Sequence, residues 1–366
     1  MSIKQQQQKM EGEIKNLLQV WFSITASLCY CYFISSKLPK GKYRLLSLLP
    51  IFCLFTLLPL HLSSAFVASV TAFFITWLAS FKLLLFSFDL GPLSSNPPQP
   101  LFLFIIIACL PIRTKQQQNP NPQKPSKISE KSSKPTKLPL NLASELVVLS
   151  LLIGVIHDYR ELLHSTILLI LYCCMVFLMV DVLVTLSNAA VRATVGLELE
   201  PPSDEPYLST SLQDFWARRW NLMVTNTLRH TIYKPVRSAC EPILGREWAS
   251  LPAVLSAFLV SGLMHELLFY YVTRVSPSWE MTGFFVLHGV CVVLEARVKR
   301  KVTGRWRLHW AVSGPLTVGF VVGSSFWLFF PPLLRNGADV KVLNEFKFFV
   351  DFVKRNLILI VQNFVW

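Results

Sequence analysis

VSGLMHELLFYY, residues 260–271, sets a histidine and a glutamate side by side inside an apolar stretch that runs from about 250 to 272. A stretch of that length is long enough to cross the hydrocarbon of a bilayer, about 30 Å thick. An ionisable side chain inside such a span is costly, so it either pairs with a neighbour or serves chemistry. On a helix, Ser261 and Gly262 lie at i−4 and i−3 from His265, on its own face. Small residues there leave room for a second helix, or for a ligand to reach the imidazole. Glu266 points about 100° away from His265, which makes it a helix-packing group rather than the histidine's partner. Two readings stay open. His265 carries protons, since imidazole is the side chain best matched to proton transfer near neutral pH. Alternatively the His265–Glu266 pair holds helices together by hydrogen bonds.

The rest of the chain supports a membrane setting. Of 366 residues, 52% are apolar and 15% are charged, against about 25% charged in soluble domains. Mean hydropathy is +0.47. The apolar residues fall in long runs at about 17–36, 45–62, 66–88, 142–157, 165–187, 250–272, 281–296 and 311–333. These runs exclude a soluble enzyme, a disordered chain, a coiled coil and a secreted disulfide scaffold. The stretch 101–112 would span only about 18 Å as a helix, so it is expected to be re-entrant or interfacial. Residues 1–16 are polar, and no small-residue cleavage site follows the first run, so no cleavable signal peptide is expected. Residues 113–137, rich in Gln, Pro, Lys and Ser, read as a disordered basic loop. Residues 188–249 are too long and polar to lie wholly in the membrane, and the tail 341–366 has the spacing of an interfacial helix or a final span. The expectation is one all-α polytopic membrane domain over 1–366, with roughly eight transmembrane helices plus re-entrant and interfacial helices.

Net charge is +14, from 35 Lys and Arg against 21 Asp and Glu. In a soluble protein this would suggest nucleic acid. Here the charge sits in loops, as the positive-inside rule and anionic headgroups require, and no nucleic-acid partner is expected. The loops at 37–44, 113–137, 188–249 and 297–310 then share the cytoplasmic side. Eight cysteines, with no CxxC pair, read as reduced core residues, and no metal site is expected. Lys82, Glu145 and Asp181 also lie in apolar runs; the Lys82 charge would snorkel to the interface or face a polar cavity.

A second constellation is SLQDFWARRWNLMV, residues 211–224. Asp214 and Arg218 are four apart and could pair on one helix face. Trp216 and Trp220 are also four apart, an aromatic stripe suited to the membrane interface. The plain alternative is an interfacial amphipathic helix with snorkelling arginines.

Taken together, DFWARRWN (214–221) and SGLMHE (261–266) resemble the membrane-bound O-acyltransferase superfamily, in particular its plant wax synthase branch. PYLSTSLQDFWARRWNLMV (206–224), GRWR (304–307) and WLASFKLLLFSFDLGPL (77–93) carry the wider resemblance. It covers most of the chain from about residue 17 and is weakest at 113–137 and after about 335.

In that family an Asn or Asp on a cytoplasm-facing helix and a membrane-embedded His define the catalytic centre, and Asn221 and His265 match them. The resemblance implies a reaction chamber within the membrane and transfer of a fatty acyl group from acyl-CoA to a long-chain fatty alcohol. Sterol and diacylglycerol are alternative acceptors. His265 would be the general base, worth roughly 10²–10⁴-fold. Asn221 would orient a reactant or polarise the carbonyl, worth roughly 3 kcal/mol. Arg218, Arg219, Trp216, Trp220, Ser261 and Gly262 would bind the substrates. The 297–307 basic patch is a second candidate for CoA. No cofactor beyond acyl-CoA as co-substrate is implied, and the location would be the endoplasmic reticulum membrane.

The alternative of another class is a transporter or channel using Lys82, Glu145, Asp181 and the His265–Glu266 pair; the chain shows no internal repeat to support it. No HHxxxDG, NHxxxxD, GxSxG or Walker A motif occurs. His288, in VLHGV, reads as a satisfied core histidine.

Overall fold

The computed structural model describes residues 3–95, 99–111, 142–196, 201–302, 308–348 and 350. Among these, regular structure is helical throughout, and eight helices are long and apolar enough to cross a membrane. They are α1 (Ile3–Phe33), α2 (Lys42–Leu57), α3 (Ala65–Ser87), α5 (Leu142–Tyr159), α6 (Ser165–Val195), α9 (Ser250–Thr273), α10 (Glu280–Val302) and α11 (Trp310–Arg335). Between and after them lie α4 (Leu101–Cys109), α7 (212–219), α8 (222–248, broken at Gly245) and α12 (338–348). The chain groups into two compact units, Met1–Pro111 with Ser203–Trp366, and Ile112–Pro202. The loop 113–137 lies outside the described residues.

The smaller unit is the α5–α6 pair. His164 caps α6 by accepting from Thr166 N, and Gly196, left-handed at φ 70°, ends it. α6 runs on to Val195, so the first residues of the expected 188–249 cytoplasmic segment continue a membrane helix. Glu145 on α5 and Asp181 on α6 share a side-chain hydrogen bond, which accounts for two carboxyl groups in apolar runs.

The larger unit is tied at both ends by charged side chains on backbone groups, buried at one end and, for the carboxylates, half-buried at the other. At one end, Arg44 donates to the carbonyls of Ser36, Leu38 and Phe86, and Gly41 N donates to Ser87 O at 2.7 Å. Lys82 neither snorkels nor faces a cavity: its ammonium donates to the Ile107 and Leu110 carbonyls at the end of α4. A cation at a helix C-terminus satisfies orphan carbonyls and meets the negative end of the dipole. α4, of nine residues, is about 14 Å long and does not cross.

At the opposite end, carboxylates do the corresponding job at the start of α3. Glu345 on α12 accepts from Ala65 N and Phe66 N at 2.8 and 2.9 Å, and Glu13 on α1 accepts from Ser63 N and Ser64 N. Arg274, after α9, donates to Leu62 O at 2.9 Å, and Tyr271 donates to Thr56 O. α9 therefore ends beside the α2–α3 connection and starts at the other end, with 37–44. α10 runs back to that end, where Gln213 N reaches Glu295 Oε2 at 3.3 Å. The described basic residues of 37–44, 204–219 and 297–301 thus lie at one end of the unit.

α9 and α10 approach closely because two glycines allow it. A Cβ at Gly262 would stand 2.8 Å from Thr282 Cα, and one at Gly289 would stand 2.9 Å from Phe258 Cβ. Glu266 Oε1 accepts from Thr282 N at 3.1 Å, capping the first turn of α10. Four stretches widen from α to π geometry: Phe73–Ala79, Phe215–Arg219, Arg229–Tyr233 and Ser325–Phe329.

Candidate active site

His265 stands about 22 Å along α9 from Ser250. Its Nδ1 lies 2.7 Å from Ser261 O, the carbonyl one turn back. A carbonyl only accepts, so Nδ1 carries the proton and donates. In the neutral ring, Nε2 is then the lone-pair nitrogen. It has no hydrogen-bond partner among the described residues, and the side chain keeps part of its surface open.

Three aromatic rings from three helices position that imidazole. Phe285 of α10 stacks on it at 4.2 Å and 29°. Trp77 of α3 meets it edge to face at 5.1 Å and 83°, and Phe329 of α11 at 6.0 Å and 68°. Trp77 and Phe329 both lie in π stretches. Turns of this kind occur frequently at functional sites.

The 211–224 constellation reaches this group through Trp216. Its ring packs 5.7 Å from both Phe285 and Phe258. Its Nε1 donates to His288 Nδ1 at 3.0 Å, and His288 Nε2 lies 2.8 Å from Ser324 Oγ, which lies 2.7 Å from Phe320 O. The indole N–H fixes Nδ1 as an acceptor. Nε2 therefore donates to Ser324, whose hydroxyl donates onward to the carbonyl. His288 is fully buried with both nitrogens satisfied, in keeping with its reading as a core histidine. That reading did not foresee that what it satisfies is Trp216.

Spacing inside the constellation differs from expectation. Asp214 pairs with Arg219 at 2.9 Å, not with Arg218. Trp220 stacks on Phe215 at 5.7 Å and 11°, not in a stripe with Trp216. The cause is the π turn: Trp220 N bonds Phe215 O at 2.8 Å, a five-residue step. Arg219 Nη1 also donates to Asp204 O and Glu205 O, so this guanidinium is committed within the segment. Arg218 is exposed and has no partner among the described residues.

Asn221 sits in the left-handed region at φ 37°, a conformation Asn tolerates. It caps α8, accepting from Val224 N at 3.3 Å. Thr225, one turn on, donates to Trp216 O at 2.9 Å. The connection from Asn221 to His265 runs through Trp216 and Phe285 rather than through a hydrogen bond between them. Ser261 supplies its carbonyl to the site. The space beside Gly262 is taken by the backbone of α10, so of its two expected uses, helix packing prevails.

A model of the membrane bound O-acyl transferase family matches residues 199–287, which contain Asn221, His265 and Phe285. The long-chain-alcohol O-fatty-acyltransferase of Simmondsia chinensis is 44% identical over 355 residues, 95% of this chain and 98% of that protein. The chain belongs to the membrane bound O-acyl transferase family. Probable long-chain-alcohol O-fatty-acyltransferase 3 of Arabidopsis thaliana is also 44% identical, over 96% of this chain and 99% of its own length. Acyl-CoA–sterol O-acyltransferase 1 of the same plant is 41% identical over 332 residues, 90% of this chain and 94% of that protein. The protein is a multi-pass membrane acyltransferase acting on an acyl donor and a hydroxyl lipid.

Trp77, Phe285, His288, Phe329 and Ser324 were not singled out as site residues in the sequence. A signal existed for two of them. Phe285 and His288 are three apart on α10 and share a face.

Proposed function

We propose that the chain transfers a fatty acyl group from acyl-CoA to a long-chain fatty alcohol, releasing wax ester and CoA. The observation that carries this is the His265 imidazole, with Nδ1 held by Ser261 O and Nε2 left as an open acceptor. The alcohol is a poor nucleophile until its proton leaves. Nε2 takes that proton as the alcohol oxygen bonds to the thioester carbon. The C–S bond then breaks, and the imidazolium returns its proton to the CoA thiolate. No covalent acyl-enzyme is needed.

Asn221, with its Oδ1 engaged in the cap, offers its amide N–H groups to orient a reactant. Arg218, exposed and uncommitted, is the better candidate for a CoA phosphate, and Arg219 holds the segment that presents it. Trp216 and Trp220 frame the approach. The reaction requires no cofactor beyond acyl-CoA, and the membrane is assigned to the endoplasmic reticulum.

Sterol esterification is the second reading, favoured by a sterol acyltransferase relative nearly as similar as the alcohol enzymes. The test uses microsomes from cells without endogenous neutral-lipid acyltransferases, supplied with labelled acyl-CoA and either acceptor. Wax ester formation that disappears in His265→Ala, at equal protein level, is the expected result. Sterol ester alone would move the acceptor assignment, and undiminished turnover in His265→Ala would remove the base assignment.

A further inference from the structure

We propose that Trp77 is a catalytic residue, whose indole Nε1–H donates to the carbonyl oxygen of the acyl donor and stabilises the charge that gathers there. The inference rests on the acyl-transfer reading above and adds to it a residue for the carbonyl.

Trp77 is 1% exposed, and its Nε1 is buried with no hydrogen-bond acceptor among the described residues. A donor shut away from water without an acceptor destabilises a fold, and such groups in native structures call for an explanation. Glu266 Oε2 and Thr282 Oγ1, at the α9–α10 contact, are also buried without a partner among the described residues. Both are oxygens on groups of which Glu266 Oε1 and Thr282 N already bond each other, and the other N–H donors around the imidazole have acceptors. Trp216 Nε1 donates to His288, His265 Nδ1 donates to Ser261 O, and Thr76, the neighbour of Trp77, donates to Phe55 O at 2.6 Å. Phe285 and Phe329 have no polar group to offer. Among the described residues, of the rings that touch His265 only the Trp77 ring has an uncommitted donor.

Its placement suits a transition-state contact. The indole lies 5.1 Å from the imidazole, nearly perpendicular to it. We place the reacting carbon beside His265 Nε2, next to the Trp77 ring. The ring is also held: it sits in the π stretch Phe73–Ala79, packed against Phe73 at 5.9 Å and fastened one residue away by Thr76. A donor fixed in advance needs no reorganisation when charge develops.

Charge bookkeeping selects the carbonyl over the hydroxyl. The alcohol oxygen gives its proton to His265 and its electron pair to the new C–O bond, so its negative charge is transient. The thioester carbonyl oxygen gains charge as the tetrahedral species forms and loses it when the C–S bond breaks. A neutral N–H in an apolar site favours the more charged state, so it binds the transition state better than the substrate.

The experiment uses the full chain in microsomes or detergent, with whichever hydroxyl acceptor the wild type esterifies. Trp77→Phe keeps an aromatic ring and removes the N–H. The expected result is a fall in kcat of about 10²-fold, the size seen when one such donor is lost. Acceptor KM should stay within about twofold, and inhibition by an S-alkyl-CoA thioether, which has no carbonyl, should be unchanged. Should the variant fail to accumulate, 3-benzothienylalanine at position 77 fills the indole volume without the N–H and must give the same fall. Wild-type kcat in either substitution overturns the proposal while leaving the acyl-transfer reading intact. So does a fall matched by weaker thioether binding, which would place Trp77 in packing alone. A wild type that transfers no acyl group to any hydroxyl acceptor overturns both.

Discussion

The helix around His265 and the turn around Trp216 show the same kind of pattern in sequence, polar and aromatic residues at three- and four-residue spacing, yet only the helix keeps that spacing. In α9 the imidazole reaches the carbonyl four residues back, as a regular helix dictates. Between 214 and 220 each relation is displaced by one: Asp214 meets Arg219 and Phe215 meets Trp220. The reason is mechanical. α9 packs against α10 closely, with Gly262 against Thr282, and this contact leaves the turn between Ser261 and His265 no room to widen. The 212–219 helix is short, and Trp220 already leaves helical geometry at ψ 128°, so its last turn is free to widen. Spacing therefore holds where close packing fixes the turn, as at Gly262, and fails where a turn can widen, as at 215–219 and within α3 and α11.

Substitution at the two adjacent arginines gives the sharpest contrast and the largest effect. Arg219→Gln removes a charge-assisted bond to Asp214, between side chains 24% and 19% exposed, and two bonds to carbonyls. Hydrogen bonds to charged groups contribute about 1.5–3 kcal/mol each, so a loss of about 3 kcal/mol is expected, read as a lower melting temperature in detergent. Arg218→Gln should leave the melting temperature unchanged and raise the apparent acyl-CoA KM several-fold. Equal thermal losses in both variants would restore the four-residue pairing.

A smaller effect is expected along the chain Trp216–His288–Ser324. Ser324→Ala removes the acceptor for His288 Nε2. The ring can then turn a proton toward Trp216, donor against donor. A loss of about 1–2 kcal/mol follows from one buried bond, and kcat should drop several-fold because Trp216 packs Phe285, which in turn stacks on His265. His288→Asn, which keeps an acceptor near the Nδ1 position, should recover more activity than His288→Leu. Identical behaviour of the two would show that His288 acts by volume alone.

Much of this arrangement is legible in the sequence. The eight apolar runs coincide with the eight spanning helices, and the short run at 101–112 contains a helix too short to cross. His265 and its i−4 neighbour follow from helical geometry. What could not be read are relations between helices far apart in sequence. Lys82 closes α4 through carbonyls 25 and 28 residues away, and Glu345 caps α3 across 280 residues. Trp77 reads as one more apolar residue in a run, because its significance lies in what its N–H lacks. The GRWR stretch at 304–307 and most of the 341–366 tail fall outside the described residues.

The gentlest comparison is between two glycines in spanning helices. Alanine is favoured over glycine in a helix by about 1 kcal/mol, so Gly→Ala stabilises wherever the methyl meets open space. At Gly319 in α11 nothing lies within 4 Å of the new Cβ, and a gain of up to about 1 kcal/mol is expected. At Gly262 the methyl would meet the Thr282 Cα at 2.8 Å. That atom is backbone, and Glu266 holds the same residue's N–H at 3.1 Å, so α10 cannot yield by a side-chain rotation. Overpacking of this kind costs about 1–3 kcal/mol, which outweighs the propensity gain. Gly262→Ala should therefore lower the melting temperature where Gly319→Ala raises it, and a rise at both positions would mean that α9 and α10 can separate without loss.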